Sequence, residues 1–555
     1  MTNPNKRPNF LIVVADDLGF SDTGPYGGEI PTPTLDRLAR EGVLMTGFHT
    51  ASACSPTRSM LLSGTDNHIA GLGQMAEYIR ATGQTYAGRP GYEGYLNYRV
   101  AALPEILQDN GYHTIMSGKW HLGLKKELSP HARGFDKSFV YLAGSGNHYN
   151  NEPQLDNYTG PKSPPVWGDG LWMRDDVFLD RKRDIPQDFY STTAFTDEMI
   201  QYLEGRTPEE REKPFLGYLA YTAPHWPLQA PKAVIDKYKG LYDDGPEALR
   251  DRRLEALIAR GLVPPGVEPA PMVGETIKNW ADMTPTERAH SARHMETYAA
   301  MVDLMDQNLA RVVDHLERAG ELDDTLVVFI SDNGAEGKLL EALPVMAGVP
   351  LGRVIREHYD NALDNIGSAD SFVWYGPHWA CAATAPSRGF KAMVTEGGIR
   401  CPCIVRYPGF ALSNSNSGGG PTVTREFTTV MDVLPTLLDL AGVAHPGTTF
   451  RGREVVLPRG RSWVAHLDGR AGTVHEDGTQ DVTGWELFGR RAIRRGRWKA
   501  VFEPAPAGSE EWELYDLSTD LGEVHNLAAE EPEVLEGLLV EWERYSAETG
   551  MAIDI

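Results

Sequence analysis

The sequence contains little cysteine and no long hydrophobic run. Only four cysteines occur among 555 residues and none forms a CxxC pair, which argues against a disulfide scaffold and a zinc ribbon. No apolar stretch reaches the roughly 20 residues that span a bilayer, so we expect no membrane association. The N-terminus lacks the small-residue cleavage site of a signal peptide. We therefore expect a cytoplasmic protein with free thiols.

Positive charge is also scarce. The chain has 53 lysines and arginines against 77 aspartates and glutamates, a formal net charge of −24. A general nucleic-acid binder needs a basic surface to neutralise phosphates, so we exclude that class. A small anionic substrate is compatible with this charge if a site gathers cations locally. The composition leaves both a monomer and a dimer open.

Short β-branched and aromatic runs alternate with amphipathic stretches along most of the chain. This pattern predicts an α/β fold with a large, mainly parallel sheet sandwiched by helices. The segments "TPTLDRLAREG" and "ALPEILQDNG" predict short helices, and a long helix is predicted from about residue 294 to 317. After Thr448 alternating strands and a closing helix predict a smaller α+β domain. The predicted domains are 1–447 and 448–555, with insertions at about 147–190 and 232–292.

Polar side chains stand at the ends of four predicted strands. In an open α/β sheet ligands bind beyond the carboxyl ends of the strands, so these four endings predict one shared site. The runs "NFLIVVADD", "YHTIMSGKWH", "PFLGYLAYTAPHW" and "TLVVFISDNG" contribute Asp16 and Asp17, Lys119 and His121, His225, and Asp332 and Asn333.

The acidic members of this set offer hard oxygen ligands. Three carboxylates and one amide carbonyl suit calcium or magnesium and not zinc. Adjacent aspartates repel each other unless a positive charge lies between them, which favours a bound cation. The predicted metal ligands are Asp16, Asp17, Asp332 and Asn333.

The basic members suit an anion. Two lysines can neutralise anionic oxygens, and two histidines can exchange protons near neutral pH. Lys119, His121 and His225 follow predicted strands, and Lys391 stands in the glycine-containing segment "RGFKAMVTEGG". These residues are candidates for binding an anionic group and moving protons.

The segment "ACSPTRSMLLSG" contains a cysteine at a predicted helix start. Pro56 is tolerated in a first helical turn, so Cys54 faces the unpaired N–H groups of that turn, which favour negative charge. The residues alone allow two interpretations, a thiolate nucleophile and a buried structural cysteine.

The segment from Cys54 to Arg58 matches the C-x-P-x-R motif of type I sulfatases, members of the alkaline phosphatase superfamily. Five further segments occur along the chain in the family's order, so the resemblance spans nearly the whole chain. They are "NFLIVVADDLG", "GYHTIMSGKWHLG", "APHWP", "ISDNG" and "GGIRCPCIVRYPG". The bacterial cytoplasmic arylsulfatases of the Pseudomonas type are the nearest likeness. Thr57 stands where the family most often has serine.

The resemblance implies a hydrolase that cleaves a sulfate monoester to an alcohol or phenol and sulfate. A formylglycine-generating or sulfatase-maturing enzyme would oxidise Cys54 to Cα-formylglycine, with Pro56 and Arg58 marking the site. The hydrated aldehyde would attack sulfur, and the resulting sulfated hemiacetal would then expel sulfate.

The resemblance also assigns a role to each matching residue. One Ca²⁺, or alternatively Mg²⁺ or Mn²⁺, would be bound by the four predicted metal ligands, with Asp332 also acting as base. Arg58 and Lys119 would orient the hydrated aldehyde, and His121 would take its remaining proton. His225 and Lys391 would bind the sulfate, and one of them would protonate the leaving group.

Two alternatives remain open. Phosphonate monoester and phosphodiester hydrolases share the scaffold and the motif, and an unmodified relative would bind sulfated ligands without turnover. Several aromatic residues are candidates for the wall of an apolar pocket or for ordinary packing, namely Trp120, Tyr149, Trp167, Trp172 and Trp226. Their number near strand ends favours an aryl ester over a charged glycosaminoglycan.

Overall fold

The computed structural model describes residues 7–156, 171–274, 277–338, 344–345, 349–414, 420–475, 481–505 and 508–552. A ten-stranded sheet dominates the fold. Its strands, in spatial order and numbered along the chain, are β13 (Thr422–Thr424), β2 (Val43–Met45), β12 (Cys403–Arg406), β9 (Thr325–Ser331), β1 (Asn9–Ala15), β8 (Phe215–Ala220), β4 (His113–Lys119), β5 (Lys137–Tyr141), β6 (Trp172–Arg174) and β7 (Val177–Leu179).

The five central strands, from β9 to β5, are all parallel. Alternate side chains of β1 enter different cores: Leu11 and Val13 belong to one apolar cluster, and Phe10 and Ile12 to another. Because both faces are buried, the central strands are continuous apolar runs in the sequence. This arrangement confirms the predicted mainly parallel sheet between helices.

Helices cover both faces of the large sheet. The α-helices are α1 (Pro33–Arg40), α2 (Cys54–Ser63), α3 (Asn67–Ala70), α4 (Ala76–Ala81), α5 (Leu103–Asp109), α6 (Pro153–Asp156), α7 (Ser191–Glu204), α8 (Pro208–Arg211), α9 (Lys232–Ile235), α10 (Pro246–Ala259), α11 (Pro285–Arg318), α12 (Leu351–His358), α13 (Pro377–Ala383), α14 (Glu396–Ile399), α15 (Val433–Ala441), α16 (Val464–Leu467) and α17 (Pro532–Thr549). Helices α7 and α11 pack in one core, and α2, α5 and α15 pack in the other.

A four-stranded antiparallel sheet near the C-terminus confirms the predicted smaller α+β element. Helix α17 packs against it through Leu538, Trp542 and Tyr545. The strands of this sheet are β17 (Val482–Leu487), β18 (Arg490–Arg495), β19 (Trp498–Phe502) and β20 (Trp512–Asp516). Three two-stranded pairs complete the described strands, namely β3 (Phe48–His49) with β14 (Thr428–Thr429), β10 (Pro344–Val345) with β11 (Val349–Pro350), and β15 (Thr449–Phe450) with β16 (Arg453–Glu454).

The long helix begins earlier than its apolar spacing predicts. Helix α11 starts at Pro285 because Thr284 and Glu287 form a capping box: the Thr284 hydroxyl accepts from the Glu287 N–H at 3.3 Å, and the Glu287 carboxylate accepts from the Thr284 N–H at 2.8 Å. The first helical turns therefore lie inside the predicted 232–292 insertion.

The proposed division after residue 447 stays a prediction. Phe450, Trp463 and Leu467 are buried in the core of the large sheet, so the chain between β15 and α16 packs with that sheet. Part of the predicted 147–190 insertion lies outside the described residues. Within the described ranges, no helix is long and apolar enough to cross a membrane.

Candidate active site

Four neighbouring parallel strands deliver the predicted residues to one edge of the sheet. Strands β9, β1, β8 and β4 are adjacent in that order, so their carboxyl ends lie side by side. The backbone of Asp17 has a left-handed φ of +70° directly after β1, and its N–H donates to Asp332 Oδ1 at 3.2 Å. The strand-end residues therefore converge, as the sequence predicts.

Three buried ion pairs form the centre of this edge, which we call the charged centre. Each pairs a strand-end carboxylate with a cation, and none of the six side chains is more than 7% exposed. The pairs are Lys119 Nζ to Asp16 at 2.7 Å, Lys391 Nζ to Asp17 at 2.8 Å and Arg58 Nη2 to Asp332 at 2.7 Å.

The pKa values of two carboxyl groups in the charged centre, Asp17 and Asp332, are shifted in opposite directions. Burial opposes ionisation of Asp17, but the charge of Lys391, with a further contribution from Lys119, outweighs it and lowers the pKa of that carboxyl. Burial, together with the neighbouring Asp16 charge, raises the pKa of Asp332 to about 6. Asp17 is thus firmly ionised, whereas Asp332 is able to accept a proton near neutral pH.

The oxygen donors of the charged centre fit a hard cation. Oxygen and sulfur atoms of Asp16, Asp17 and Cys54 and a ring nitrogen of His225 lie within 4.8 Å of one another. The Asn333 amide donates to Asp17 Oδ1 at 2.7 Å, while its own Oδ1 is buried with no hydrogen-bond partner. A buried acceptor without a donor, beside ionised carboxylates, is the arrangement that a metal ion satisfies.

Cys54 is the first residue of α2 and is fully buried. Its Sγ lies 3.8 Å from Asp17 Oδ1. Burial raises the pKa of this thiol well above its ordinary value, although Lys119 and Lys391 act in the opposite direction. The thiol is therefore neutral near pH 7, so a thiolate nucleophile, one of the two interpretations of the sequence, does not fit this environment.

The two predicted histidines differ in their partners. His121 Nε2 lies 3.4 Å from a Glu77 carboxylate oxygen, and its buried Nδ1 has no hydrogen-bond partner. His225 Nδ1 lies 2.6 Å from the carbonyl oxygen of Trp226, and its Nε2 lies 3.4 Å from Asp17. Burial lowers the pKa of both rings, so both are neutral here.

A cavity of about 380 Å³ opens onto this group, and we call it the catalytic cavity. Cys54, His121, His225 and Lys391 line its polar end. Most of the other lining side chains are apolar, namely Met75, Tyr78, Ala81, Trp226, Leu351 and Phe488, and the charged Glu77, Glu336 and Lys338 are also part of the wall. The cavity thus joins a charged end to a hydrophobic chamber.

Sequence reasoning missed most of the lining of this cavity, including Glu336 and Phe488. Glu336 lies 3.0 Å from Lys391 Nζ, on a loop four residues after Asp332, and that spacing was the available signal. Phe488 comes from the turn between β17 and β18, where its ring meets Tyr78 at 4.9 Å between centroids. No local pattern indicates that a residue of the small sheet reaches this site.

Of the four candidate aromatic residues that lie in the described part of the chain, one is found in the wall. Trp226 lines the catalytic cavity. Trp120 and Trp172 are buried in the two cores, and Tyr149 packs against another tyrosine. Trp167 lies outside the described residues.

Comparison with protein families gives one match that covers most of the chain. The model of the Sulfatase family matches residues 8–443. An uncharacterized sulfatase of Schizosaccharomyces pombe is 53% identical over 99% of this chain and 95% of its own length. An arylsulfatase of Klebsiella aerogenes is 35% identical over 79% of this chain and 87% of its own length.

Solved structures share the fold at lower identity. The crystal structure of Ps i-CgsB in complex with k-i-k-neocarrahexaose has a TM-score of 0.66 and 20% identity, covering 98% of this chain and 94% of that one. A protein in complex with its substrate D-glucosamine-2-N,6-O-disulfate has a TM-score of 0.58 and 20% identity, covering 99% of both chains.

Proposed function

We propose that this chain, which belongs to the sulfatase family, hydrolyses sulfate monoesters that carry an apolar aryl group. Family membership supports sulfate ester hydrolysis itself. The observation that carries the finer proposal is the lining of the catalytic cavity: the cationic Lys391 lies there with Cys54 and two histidines, and most of the other lining side chains are apolar. An anionic sulfate matches the first part and an aromatic leaving group matches the second.

Cys54 is the proposed precursor of Cα-formylglycine, made by a maturation enzyme that reads Pro56 and Arg58. The neutral, buried thiol supports a role as precursor over a role as nucleophile. When formed, the hydrated aldehyde would supply a hydroxyl nucleophile and a second hydroxyl whose deprotonation releases the product. Arg58 and Lys119 are proposed to fix the orientation of residue 54, since their own carboxylate partners hold both cations at the edge of the sheet.

A divalent cation, with Ca²⁺ as the first choice and Mg²⁺ or Mn²⁺ as alternatives, is proposed to bind Asp16, Asp17, Asp332 and Asn333. The unpartnered Asn333 Oδ1 supports this set. If the amide is rotated by half a turn, this oxygen faces the Asp17 carboxylate, and a cation between the two groups would be bound by both. When bound, the ion would supply positive charge that polarises sulfate oxygens. Asp332 Oδ, with its pKa raised to about 6, is the proposed proton acceptor at position 54.

Lys391 and His225 are proposed to bind the transferred sulfate. Because the Asp17 charge outweighs burial and raises the pKa of Lys391, this side chain stays cationic and stabilises anionic oxygens. The leaving oxygen is proposed to take its proton from the cationic Lys391 Nζ, or from His225 Nε2 if the bound anionic sulfate first raises the pKa of that ring and protonates it. His121, whose Nδ1 has no partner, is the proposed acceptor of the second proton at position 54.

Intact-protein mass and activity measurements together test this function. In protein matured in its native host, we expect the mass change in which oxygen replaces sulfur and two hydrogens at residue 54. The same sample hydrolyses an aryl sulfate, and Cys54→Ala abolishes both signals. Cys381→Ala, which alters a buried cysteine of α13 outside the cavity, is the matched control and retains both.

Two results would overturn the proposal. A large preference for an aryl phosphonate monoester over the aryl sulfate would assign the chain to phosphonate or phosphodiester hydrolysis. A native-host sample that carries only the unmodified thiol and binds sulfated ligands without turnover would assign it to ligand binding.

A further inference from the structure

A second cavity lies beside the small antiparallel sheet. It encloses about 540 Å³, against about 380 Å³ for the catalytic cavity, and the two share no lining residue in the described ranges. Thr46 and His49 line it from the region of β2 and β3. Arg494 and Arg497 line it from the end of β18 and the following turn. This intersheet cavity is therefore a separate space.

The charged lining of the intersheet cavity holds more guanidinium groups than carboxylates. Two of the three carboxylates already have cations from outside the cavity: Lys499 Nζ lies 2.9 Å from Glu396, and Arg461 donates to Asp481 at 3.3 Å. One lining arginine is paired in the same way, since Arg497 lies 3.2 Å from Asp516, which is outside the cavity. The lining arginines are Arg400, Arg425, Arg494 and Arg497, and the lining carboxylates are Glu396, Glu426 and Asp481.

Arg400 is a lining cation that has no directly paired carboxylate among the described residues, and its buried Nη1 has no hydrogen-bond partner. It is only 4% exposed, and its Nε donates to the carbonyl oxygen of Thr46 at 2.8 Å. Its guanidinium lies 4.2 Å from the centre of the Phe20 ring. Neither Nη nitrogen donates to a described residue, and no described carboxylate lies within 4 Å. Burial lowers the pKa of Arg400 to about 10, although the charge of Glu396, which is not in direct contact, acts in the opposite direction.

A buried charge without a partner is strongly unfavourable, and proteins normally pair it. The guanidinium of Arg400 presents parallel N–H groups that match the oxygens of a carboxylate, sulfate or phosphate. We propose that the intersheet cavity binds an organic oxyanion whose headgroup pairs with Arg400. This site is independent of the catalytic cavity and of the proposed sulfatase chemistry.

The remaining walls indicate that the ligand is larger than an inorganic ion. The cavity exceeds in volume the one in which we propose to bind an aryl sulfate. Apolar side chains line part of it, namely Leu262, Pro264, Phe427, Leu517 and Leu521. An anionic headgroup with a compact apolar body fits this combination of walls.

Crystallography with halogenated probes locates the ligand. Crystals of the full chain grown without sulfate or phosphate are soaked in 4-bromobenzoate or in 4-bromophenylphosphonate, which distinguish a planar carboxylate from a tetrahedral headgroup. We expect bromine anomalous density in the intersheet cavity, with the headgroup oxygens within hydrogen-bond distance of Arg400. Density confined to the catalytic cavity, or its absence from both, would overturn the proposal.

Calorimetry with three variants tests the assignment in solution. Arg400→Gln retains a donor for Thr46 but removes the charge, and we expect at least about tenfold weaker binding at the intersheet site. Arg497→Gln, at the cavity rim, weakens binding severalfold. Arg495, the last residue of β18 and two residues before Arg497, does not line the cavity, and we expect Arg495→Gln to bind as the wild type does.

Thermal unfolding provides the second readout. Without probe, Arg400→Gln melts at or above the wild-type temperature because an uncompensated buried charge has been removed. With saturating probe, the wild type gains stability and Arg400→Gln gains less. Equal binding by all three variants, or soaked density without measurable heat of binding in solution, contradicts the proposal. If Arg400→Gln fails to fold, the difference between Arg497→Gln and Arg495→Gln decides the outcome.

Discussion

Two buried ionic groups of this molecule use similar side chains for different purposes. The charged centre opens onto the catalytic cavity and leaves acceptors such as Asn333 Oδ1 and His121 Nδ1 without partners. A second group, which we call the interface cluster, joins α3, β17 and α17 and consists of Asp66, His68, Gln74, Glu486 and Tyr545.

Both ring nitrogens of His68, at the centre of the interface cluster, have carboxylate partners. His68 Nδ1 lies 2.8 Å from Asp66, and His68 Nε2 lies 3.1 Å from Glu486. Tyr545 donates to the second oxygen of Asp66 at 2.7 Å, and Gln74 donates to Glu486 at 3.0 Å. The comparison indicates that unfilled hydrogen-bonding positions, and not buried charge as such, distinguish a site that binds ligands from one that joins structural elements.

The largest expected effect concerns stability. His68→Leu leaves the Asp66 and Glu486 carboxylates buried without their cation, and breaking such a buried pair costs about 3–5 kcal/mol. Chemical denaturation measures this loss. His315→Leu breaks a histidine contact of 3.5 Å to the exposed Glu204 and is the control, with an expected change below about 1 kcal/mol. Equal losses in the two variants would remove the distinction.

The next effect concerns catalysis. Lys391→Met removes the cation that faces Asp17 and Glu336 in the catalytic cavity. We expect kcat/KM for an aryl sulfate to fall about 10²–10³-fold, the usual cost of removing one group that stabilises transition-state charge. Lys338→Met is the matched control, since Lys338 lines the same cavity but contacts the Phe488 ring. A comparable loss in the control would contradict the assigned role of Lys391.

The pH dependence of stability sharpens the same comparison. Although burial opposes it, the Asp66 and Glu486 carboxylates raise the pKa of His68 to about 9. Its stabilising charge is complete below about pH 6.5, the ordinary histidine value, and is lost as the pH rises through 9. We expect a loss of up to about 3 kcal/mol across this interval. His68→Gln removes that component, so the difference between the two stability profiles isolates it.

The smallest effect concerns leaving-group preference. Phe488→Ala removes one apolar wall, and we expect kcat/KM for an aryl sulfate to fall about tenfold, while a methyl sulfate is affected less. Phe178→Ala, at an exposed position of the edge strand β7, is the control. Equal losses for both substrates would show that Phe488 contributes to folding and not to selection.

The sequence was sufficient for features that depend on strand order and local patterns. Asp16, Lys119 and Asp332 converge because parallel strands end at one edge, which is a rule of the fold class. Helices α1 and α5 follow from apolar spacing and terminal glycines. These features need no knowledge of distant packing.

Features that depend on tertiary packing could not be predicted. The start of α2 favours a thiolate at Cys54, but burial overrides the helix terminus and keeps the thiol neutral. Trp120 resembles a pocket residue beside Lys119, yet it points into a core. Phe488 reaches the catalytic cavity only because the small sheet packs against the large domain, and sequence spacing carries no information about that contact.

The hairpin turn that carries Phe488 is structurally separate from the residues proposed to cleave the ester. Phe488 and Gly489 both have left-handed backbones, with φ of +55° and +80°, as a two-residue hairpin turn requires. This turn belongs to the small sheet, whereas the residues proposed to break the sulfate bond lie outside that sheet, in α2, in loops and at the strand ends of the large sheet. Substitutions or insertions in this one hairpin are therefore expected to alter, during evolution, which esters bind, while the residues proposed to cleave the bond stay the same.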